Sequence, residues 1–128
     1  MKAHEFLAAV RDRGNYKDQA EAQRVTAAVL GILGERLAGG EPTDLASQLP
    51  QGIGELVAKA QDGAASFGVE EFLRRVAAAV DGSPETAQWD ASAVLCTVTE
   101  AVTGGQLNQI LTQLQPAYAT LFGKPELS

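Results

Sequence analysis

An internal duplication is the feature that most constrains how this chain can fold. Residues 28–50 read AVLGILGERLAGGEPTDLASQLP, which combines an apolar helical run, a Gly-Gly break, a short helix with a polar start and a Leu-Pro end. Residues 93–116 read AVLCTVTEAVTGGQLNQILTQLQP and repeat the same order of features. The sequence therefore predicts one helical unit that occurs twice.

Further matches extend the duplication in register. The tripeptide EFL at 71–73 repeats EFL at 5–7 with an offset of 66 residues, and the offset becomes 65 after a one-residue deletion in the following turn. At that offset Glu100 corresponds to Glu35, and Gly104-Gly105 corresponds to Gly39-Gly40. These residues anchor the alignment of repeat 1, residues 2–61, with repeat 2, residues 67–123.

Hydrophobic periodicity predicts four helices in each repeat. Val25, Val29, Ile32 and Leu33 form an apolar stripe with helical spacing in the longest of them. The predicted helices cover 2–13, 19–38, 42–48 and 51–60 in repeat 1, and 69–80, 84–103, 106–114 and 117–122 in repeat 2.

Capping residues and glycines support these boundaries. Asp18 and Ser83 are good N-cap residues for the two long helices. The Gly-Gly pairs at 39–40 and 104–105 are predicted to terminate those helices. Gly31 and Gly34 lie inside the first long helix, where each costs about 1 kcal/mol relative to alanine. We expect them at points where another helix crosses too closely for a Cβ.

The two repeats are expected to share one core. Each has only about 60 residues, which is too few for a substantial core of its own. The predicted fold class is therefore all-α: one compact domain over 1–128, a bundle of about eight helices built from two four-helix units with pseudo-two-fold symmetry. The segment QDGAAS at 61–66 is the only plausible linker between the units.

The charge of the chain makes several function classes improbable. The net charge is −6 and the pI is about 4.7, which argues against nucleic acid and against anionic lipid, since both attract basic proteins. The single cysteine cannot form an internal disulfide. The chain opens without a signal-peptide pattern and contains no apolar run of membrane-spanning length, so we expect a cytoplasmic protein.

Groups suited to catalysis or metal binding are scarce. His4 is the only histidine and is expected to be solvated, and Cys96 is expected to be a small core residue. A two-metal bundle site needs Glu-x-x-His on two helices, which is absent. No metal, cofactor or catalytic residue is predicted. Glu35 and Glu100 are instead hypothesised to accept hydrogen bonds from backbone N–H groups of the short helix that follows each Gly-Gly pair.

Trp89 and Arg24 form the candidate interaction surface. Trp89 occupies the position that Arg24 holds in repeat 1, and it lies off the core stripe of its helix. Such an aromatic residue is either half-buried against a neighbouring helix, which we favour, or part of a contact surface. Arg24 belongs to a loose basic cluster with Arg11, Arg13 and Lys17, and the acidic residues between them favour a surface of salt bridges over a phosphate site.

Several motifs resemble the bacterial family known as domain of unknown function 2267. They are EFL followed by V, the AVL helix with a following E, the Gly-Gly break, LASQLP at 45–50 and FGVEEFL at 67–73. The resemblance covers nearly the whole chain and implies a small, all-helical, internally duplicated protein without assigned catalytic residues. One departure is Leu114-Gln115-Pro116, where the pattern has Leu-Pro, and it weakens any role specific to that motif in repeat 2.

The leading functional hypothesis is a non-catalytic protein–protein interaction module, either with itself as a dimer through an exposed apolar helix face or with an unknown protein. The alternative is a protein that binds a small apolar ligand in a cleft between the two repeats. An enzyme is a weaker hypothesis because few side chains are suited to acid–base chemistry near neutral pH. A helix-turn-helix DNA-binding protein is conceivable from the short helices around 42–60, but the acidic charge opposes it.

Overall fold

The computed structural model describes residues 1–37, 41–58, 67–114 and 116–123. These residues form seven α-helices and one 3₁₀ helix, and none of them lies in a β-strand. The helices are α1 (Ala3–Gly14), α2 (Gln19–Arg36), α3 (Glu41–Gln48), α4 (Gly54–Ala58), α5 (Val69–Val80), α6 (Pro84–Ala101), α7 (Gly104–Gln113) and the 3₁₀ helix Pro116–Phe122. The predicted all-α class and the predicted number of helices are confirmed. Gly39, Gly40 and the segment 61–66 lie outside the described residues.

Local sequence explains where the long helices begin and where α1 and α5 end. The Asp18 carboxylate accepts a hydrogen bond from the Glu21 N–H at 2.9 Å, and the Ser83 hydroxyl accepts one from the Thr86 N–H at 3.3 Å. Both predicted N-caps are confirmed. Helices α1 and α5 end in left-handed residues, Asn15 and Asp81, which belong to the few residue types besides glycine that adopt this conformation readily.

The second Gly-Gly pair begins a helix, so its prediction as a terminator is wrong. Helix α6 ends at Ala101, and the Thr103 hydroxyl accepts a hydrogen bond from the Gln106 N–H at 3.1 Å as the N-cap of α7. Gly104 and Gly105 form the first turn of α7, where an added Cβ on either would meet nothing within 4 Å. The Thr103 cap, and not the glycine pair, therefore marks the start of α7.

The prediction for Gly31 and the predicted start of α4 also need correction. A Cβ added at Gly31 would meet nothing within 4 Å, so no helix crosses closely there, although Gly34 is buried. The close approach occurs at Gly54, where a Cβ would come within 2.4 Å of the Ala46 carbonyl oxygen. Gly52 has a φ of +92° and forms part of the turn before α4. That helix therefore begins at residue 54 rather than 51.

The core is a single hydrophobic cluster to which both halves of the chain contribute. Helix α1 packs against α2 and α6, and α5 packs against α6 and α2, while α2 and α6 also contact each other. Fully buried residues from the first half include Phe6, Val29, Leu30 and Leu33, and those from the second half include Phe72, Val94, Leu95 and Val98. The first helix of each half thus packs against the long helix of the other half.

Polar contacts reinforce these two crossings. At the first junction, between α1 and α6, Arg13 donates to the Thr97 hydroxyl at 2.7 Å and pairs with Glu100 at 2.9 Å. At the second junction, between α5 and α2, Arg75 pairs with Glu35 at 3.1 Å. The hypothesis of backbone N–H partners fails for Glu100 because α7 is capped by Thr103. In both pairs the partner that the structure shows is an arginine of the opposite half.

Candidate functional site

Trp89 is the most conspicuous surface residue of the described structure. It is 57% exposed, and Met1 is the only other large hydrophobic residue that is exposed among those described. The ring is therefore more exposed than the half-buried position that the sequence favours, although it does contact a neighbouring helix. Its position on α6 directs it away from the core stripe of Val94 and Val98, which are fully buried.

A hydrogen bond nevertheless fixes the Trp89 ring. The indole Nε1–H donates to the carbonyl oxygen of Gly14 at 2.9 Å. Gly14 is the last residue of α1, where carbonyl groups lack partners within the helix. The indole therefore caps the end of a helix that belongs to the other half of the chain, and its remaining surface faces solvent.

Tyr16 completes this arrangement. Its ring covers Gly14 so closely that an added Cβ would come within 2.0 Å of Cε2. Its hydroxyl donates to the Asp90 carboxylate at 2.5 Å. Since Asp90 follows Trp89 directly, adjacent residues of α6 bind the end of α1 and the turn after it.

Asp90 is unusual for an aspartate because it is buried, with only 7% of its surface exposed. Burial raises the pKa of its carboxyl group, and the negative charge of Glu21 raises it further, while the hydrogen bond from Tyr16 acts in the opposite direction. Burial and the same carboxylate also raise the pKa of the Tyr16 hydroxyl. A carboxylate with little solvent stabilisation is a strong acceptor for any additional donor or cation.

These residues border a cleft of about 310 Å³ between the two halves of the chain. We call it the Trp89 cleft. The first half contributes the turn after α1 and the start of α2, and the second half contributes the end of α5 and the start of α6. Its lining residues are Tyr16, Glu21, Arg24, Val25, Val80, Gly82, Thr86, Trp89 and Asp90.

The structure brings both predicted interaction residues, Trp89 and Arg24, into this one cleft. Further lining residues are also related by the offset of 65, since Glu21 corresponds to Thr86 and Val25 to Asp90. The cleft is therefore lined by corresponding positions of the two predicted repeats. The residue types differ within each pair, so its two sides are chemically different.

Arg24 is loosely held at the cleft. Its guanidinium lies 3.7 Å from the Glu21 carboxylate, and 68% of its side chain is exposed. Glu21 also accepts a hydrogen bond from the Lys17 backbone N–H at 3.1 Å. Within the predicted basic cluster, Arg13 pairs instead with Glu100, and Arg11 lies 3.6 Å from Asp12. These carboxylate partners agree with a surface of salt bridges.

Sequence reasoning missed Tyr16, Gly14 and the role of Asp90. One signal could have revealed Tyr16. Between the left-handed cap and the next N-cap, repeat 1 has two residues, Tyr16 and Lys17, whereas repeat 2 has only Gly82. The inserted turn residue is therefore the one that reaches across to Asp90.

Cys96 lies in a second, smaller groove and is half-buried, so its prediction as a core residue is wrong. The groove has a volume of about 220 Å³ and also contains Arg13, Trp89, Ser92 and Ala93. The Cys96 thiol lies 3.7 Å from the Leu121 carbonyl oxygen.

His4 is exposed, as predicted. No group of three or more His, Cys, Asp or Glu residues gathers as a metal site within the described ranges.

Within the described ranges, every helix is too short or too polar to cross a bilayer. A family model described as "Uncharacterized conserved protein (DUF2267)" matches residues 3–121. No curated protein matches the chain.

Proposed function

We propose a function for this chain, which belongs to the family of uncharacterized conserved proteins DUF2267. It is a non-catalytic cytoplasmic protein that binds a protein partner at the Trp89 cleft. One observation carries this proposal: a tryptophan that is 57% exposed is held in place at the rim of a cleft. Tryptophan is enriched among residues that contribute most to binding energy. An aromatic ring fixed before binding also loses little conformational entropy when a partner covers it.

The proposed duplication supports the same site. Helices α1 and α5 each have 12 residues, and α2 and α6 each have 18. The corresponding residues Asn15 and Asp81 are both left-handed, with φ values of 55° and 57°. A pseudo-two-fold arrangement would bring corresponding positions near its axis, and the corresponding residues Arg24 and Trp89 both line the cleft.

The small exposed apolar area favours a localised contact. Stable homodimers bury broad apolar surfaces, whereas only Met1 and Trp89 are exposed large hydrophobic residues among those described. A partner segment that enters the Trp89 cleft fits this surface better than a second copy docked on an apolar helix face.

The alternative function, binding of a small apolar ligand between the repeats, has less support. The Trp89 cleft does lie between the two halves, and Val25, Val80 and Trp89 give it apolar walls. However, Asp90 and Glu21 also line it, and an apolar ligand would remove water from them without supplying a hydrogen bond.

Site-specific photo-crosslinking in cells of the source organism tests the proposal. A crosslinking amino acid replaces Gln88, which is exposed and adjacent to Trp89, or Gln109, which is exposed on α7 and outside the cleft lining. We expect a discrete crosslinked protein from position 88 and not from position 109. Combining the position-88 crosslinker with Trp89→Ala should abolish the adduct.

A second variant separates binding from folding. Trp89→Ala removes the hydrogen bond to Gly14 as well as the ring, so Trp89→Phe, which keeps an aromatic surface, is tested beside it and should retain part of the adduct. Circular dichroism checks that both variants fold. The proposal is wrong if position 88 gives no adduct, or if the adduct persists in folded Trp89→Ala.

A further inference from the structure

We infer that the Trp89 cleft binds an arginine side chain of the partner protein, with the guanidinium against the Trp89 ring and between the carboxylates of Asp90 and Glu21. This inference rests on the proposed function and deepens it, because it names the chemistry of the group that enters the cleft. Three observations support it: the charges that line the cleft, an internal example of the same arrangement, and the weak hold on Arg24.

The cleft carries a negative charge next to an aromatic surface. Asp90 and Glu21 both line it, and Arg24 is the only cationic residue among the lining residues. Asp90 is 7% exposed, and its Oδ1 accepts a hydrogen bond from the Tyr16 hydroxyl at 2.5 Å. One oxygen of the carboxylate therefore already has a partner. A guanidinium has five N–H donors in a fixed plane and can bind a carboxylate while it stacks on a ring.

The protein builds this arrangement internally at the second junction. The Arg75 guanidinium lies 4.1 Å from the centre of the Phe67 ring. It also donates to Glu71 at 2.9 Å and to Glu35 at 3.1 Å. An aromatic face with two carboxylates thus holds an arginine there, and the lining of the Trp89 cleft contains the same three components.

Arg24 does not fill the proposed site. Its 3.7 Å contact with Glu21 is longer than either carboxylate contact of Arg75, and most of its side chain is in solvent. Exposed ion pairs of this kind contribute little and exchange readily. An incoming arginine therefore displaces Arg24 from Glu21, and the net charge of −6 attracts a basic segment to the surface.

The single tryptophan makes the test direct. Trp89 is the only tryptophan in the chain, so its fluorescence and its indole N–H resonance in a two-dimensional ¹H–¹⁵N spectrum report on the surroundings of this one residue, and the charge variants below assign the signal to the cleft. The probes are the peptide acetyl-Gly-Arg-Gly-amide, the same peptide with neutral citrulline, and free L-arginine. We expect a saturable shift of the indole resonance with the arginine peptide, and at least tenfold weaker binding of the citrulline peptide.

Three charge variants locate the site. Glu21→Gln should weaken binding of the arginine peptide about fivefold, since it removes one charged acceptor. Arg24→Ala should tighten binding, because it removes the competing cation. Glu85→Gln is the matched control: Glu85 is exposed in the first turn of α6 and does not line the cleft, so the same change in net charge should leave binding nearly unchanged.

The outcomes separate this inference from the proposed function. Equal binding of the arginine and citrulline peptides, or no saturable shift, overturns the arginine site. If the Trp89-dependent crosslink still forms, the proposed function survives that result. Free L-arginine presents the same side chain and should shift the same resonance; an arginine peptide that binds when free L-arginine does not would overturn recognition through the guanidinium. Equal weakening by Glu21→Gln and Glu85→Gln would reveal general charge attraction and also overturn the site.

Discussion

At the second junction, Arg75 lies over the Phe67 ring, and the buried Arg36 donates to the Phe67 carbonyl oxygen at 2.8 Å. The Tyr118 hydroxyl donates to the same oxygen at 2.8 Å, and its ring meets Phe72 edge to face at 5.4 Å. At the first junction, Arg13 pairs with Glu100, but the aromatic residue beside it is the exposed Trp89. One junction covers its aromatic rings, and the other presents one to solvent.

This difference shows how similar helix crossings can serve different purposes. The second junction uses aromatic and arginine side chains to close the core. The first junction fixes Trp89, Tyr16 and Asp90 by hydrogen bonds across the halves and leaves a cleft between them. We interpret the second junction as the main source of stability and the first as the binding surface.

The largest expected loss of stability comes from truncating Phe72 at the second junction. Phe6 and Phe72 are fully buried and correspond at the offset of 66. Each substitution by alanine should lower the free energy of unfolding by about 3–5 kcal/mol. Phe72→Ala should cost about 0.5–1.5 kcal/mol more than Phe6→Ala, because Phe72 also packs against Tyr118.

Urea denaturation followed by circular dichroism measures both phenylalanine variants. Equal losses would show that the aromatic pair of the second junction adds no stability. A larger loss for Phe6→Ala would reverse our assignment of the stabilising junction.

Gly14→Ala should destabilise the first junction by about 1–3 kcal/mol, although alanine is the better helix former. A Cβ at residue 14 would displace the Tyr16 ring and leave buried Asp90 without its hydrogen-bond donor. Gly31→Ala is the matched control and should stabilise the protein by up to about 1 kcal/mol, because its Cβ meets nothing within 4 Å. Thermal unfolding of both variants checks the two opposite signs, and stabilisation by Gly14→Ala would contradict the role of Tyr16.

Asp90→Asn should stabilise the protein at neutral pH. The folded-state pKa of Asp90 is raised mainly by burial, so the folded chain binds a proton more readily than the unfolded chain. The stability associated with this group is therefore present below its unfolded pKa and lost as pH rises through its folded pKa. Asparagine cannot ionise, so the advantage of the variant should grow from acidic to neutral pH.

Glu100→Gln provides the opposite sign in the same experiment. The hydrogen bond from Arg13 lowers the pKa of Glu100, so its contribution is present above the unfolded pKa and lost as pH falls through the folded pKa. Melting temperatures are measured across a pH series. Near neutral pH the melting temperature should be highest for Asp90→Asn, intermediate for the wild type and lowest for Glu100→Gln. Matching pH profiles for the two variants would contradict the contrast between their environments.

The smallest effect is expected from the ion pairs themselves. Glu35→Gln and Glu100→Gln should each lower the free energy of unfolding by less than about 1 kcal/mol, because both pairs are partly exposed. Arg75→Ala should cost more than Glu35→Gln, since the guanidinium also covers Phe67. High salt should reduce the glutamate effects, and salt-independent losses would indicate that these pairs act through packing.

Much of the fold could be predicted because its signals are local. Helical periodicity, Asp18 and Ser83 placed the long helices within two residues of their observed ends, since each signal acts over one or two turns. The Gly-Gly prediction failed at residues 104–105 because a neighbouring threonine supplied a better cap. Local chemistry still decides that boundary, through the N-cap residue Thr103.

The sequence by itself determined the all-helical class and the number of helices, and it predicts Trp89 and Arg24 as corresponding positions of two repeats. Only the tertiary structure decided that Trp89 is exposed, that Tyr16 reaches Asp90 and that Glu100 pairs with Arg13. The Tyr16–Asp90 and Trp89–Gly14 contacts join residues 74 and 75 positions apart. Such contacts depend on how α1 lies across α6, which no periodicity or cap encodes, because those signals specify a helix and not its neighbours.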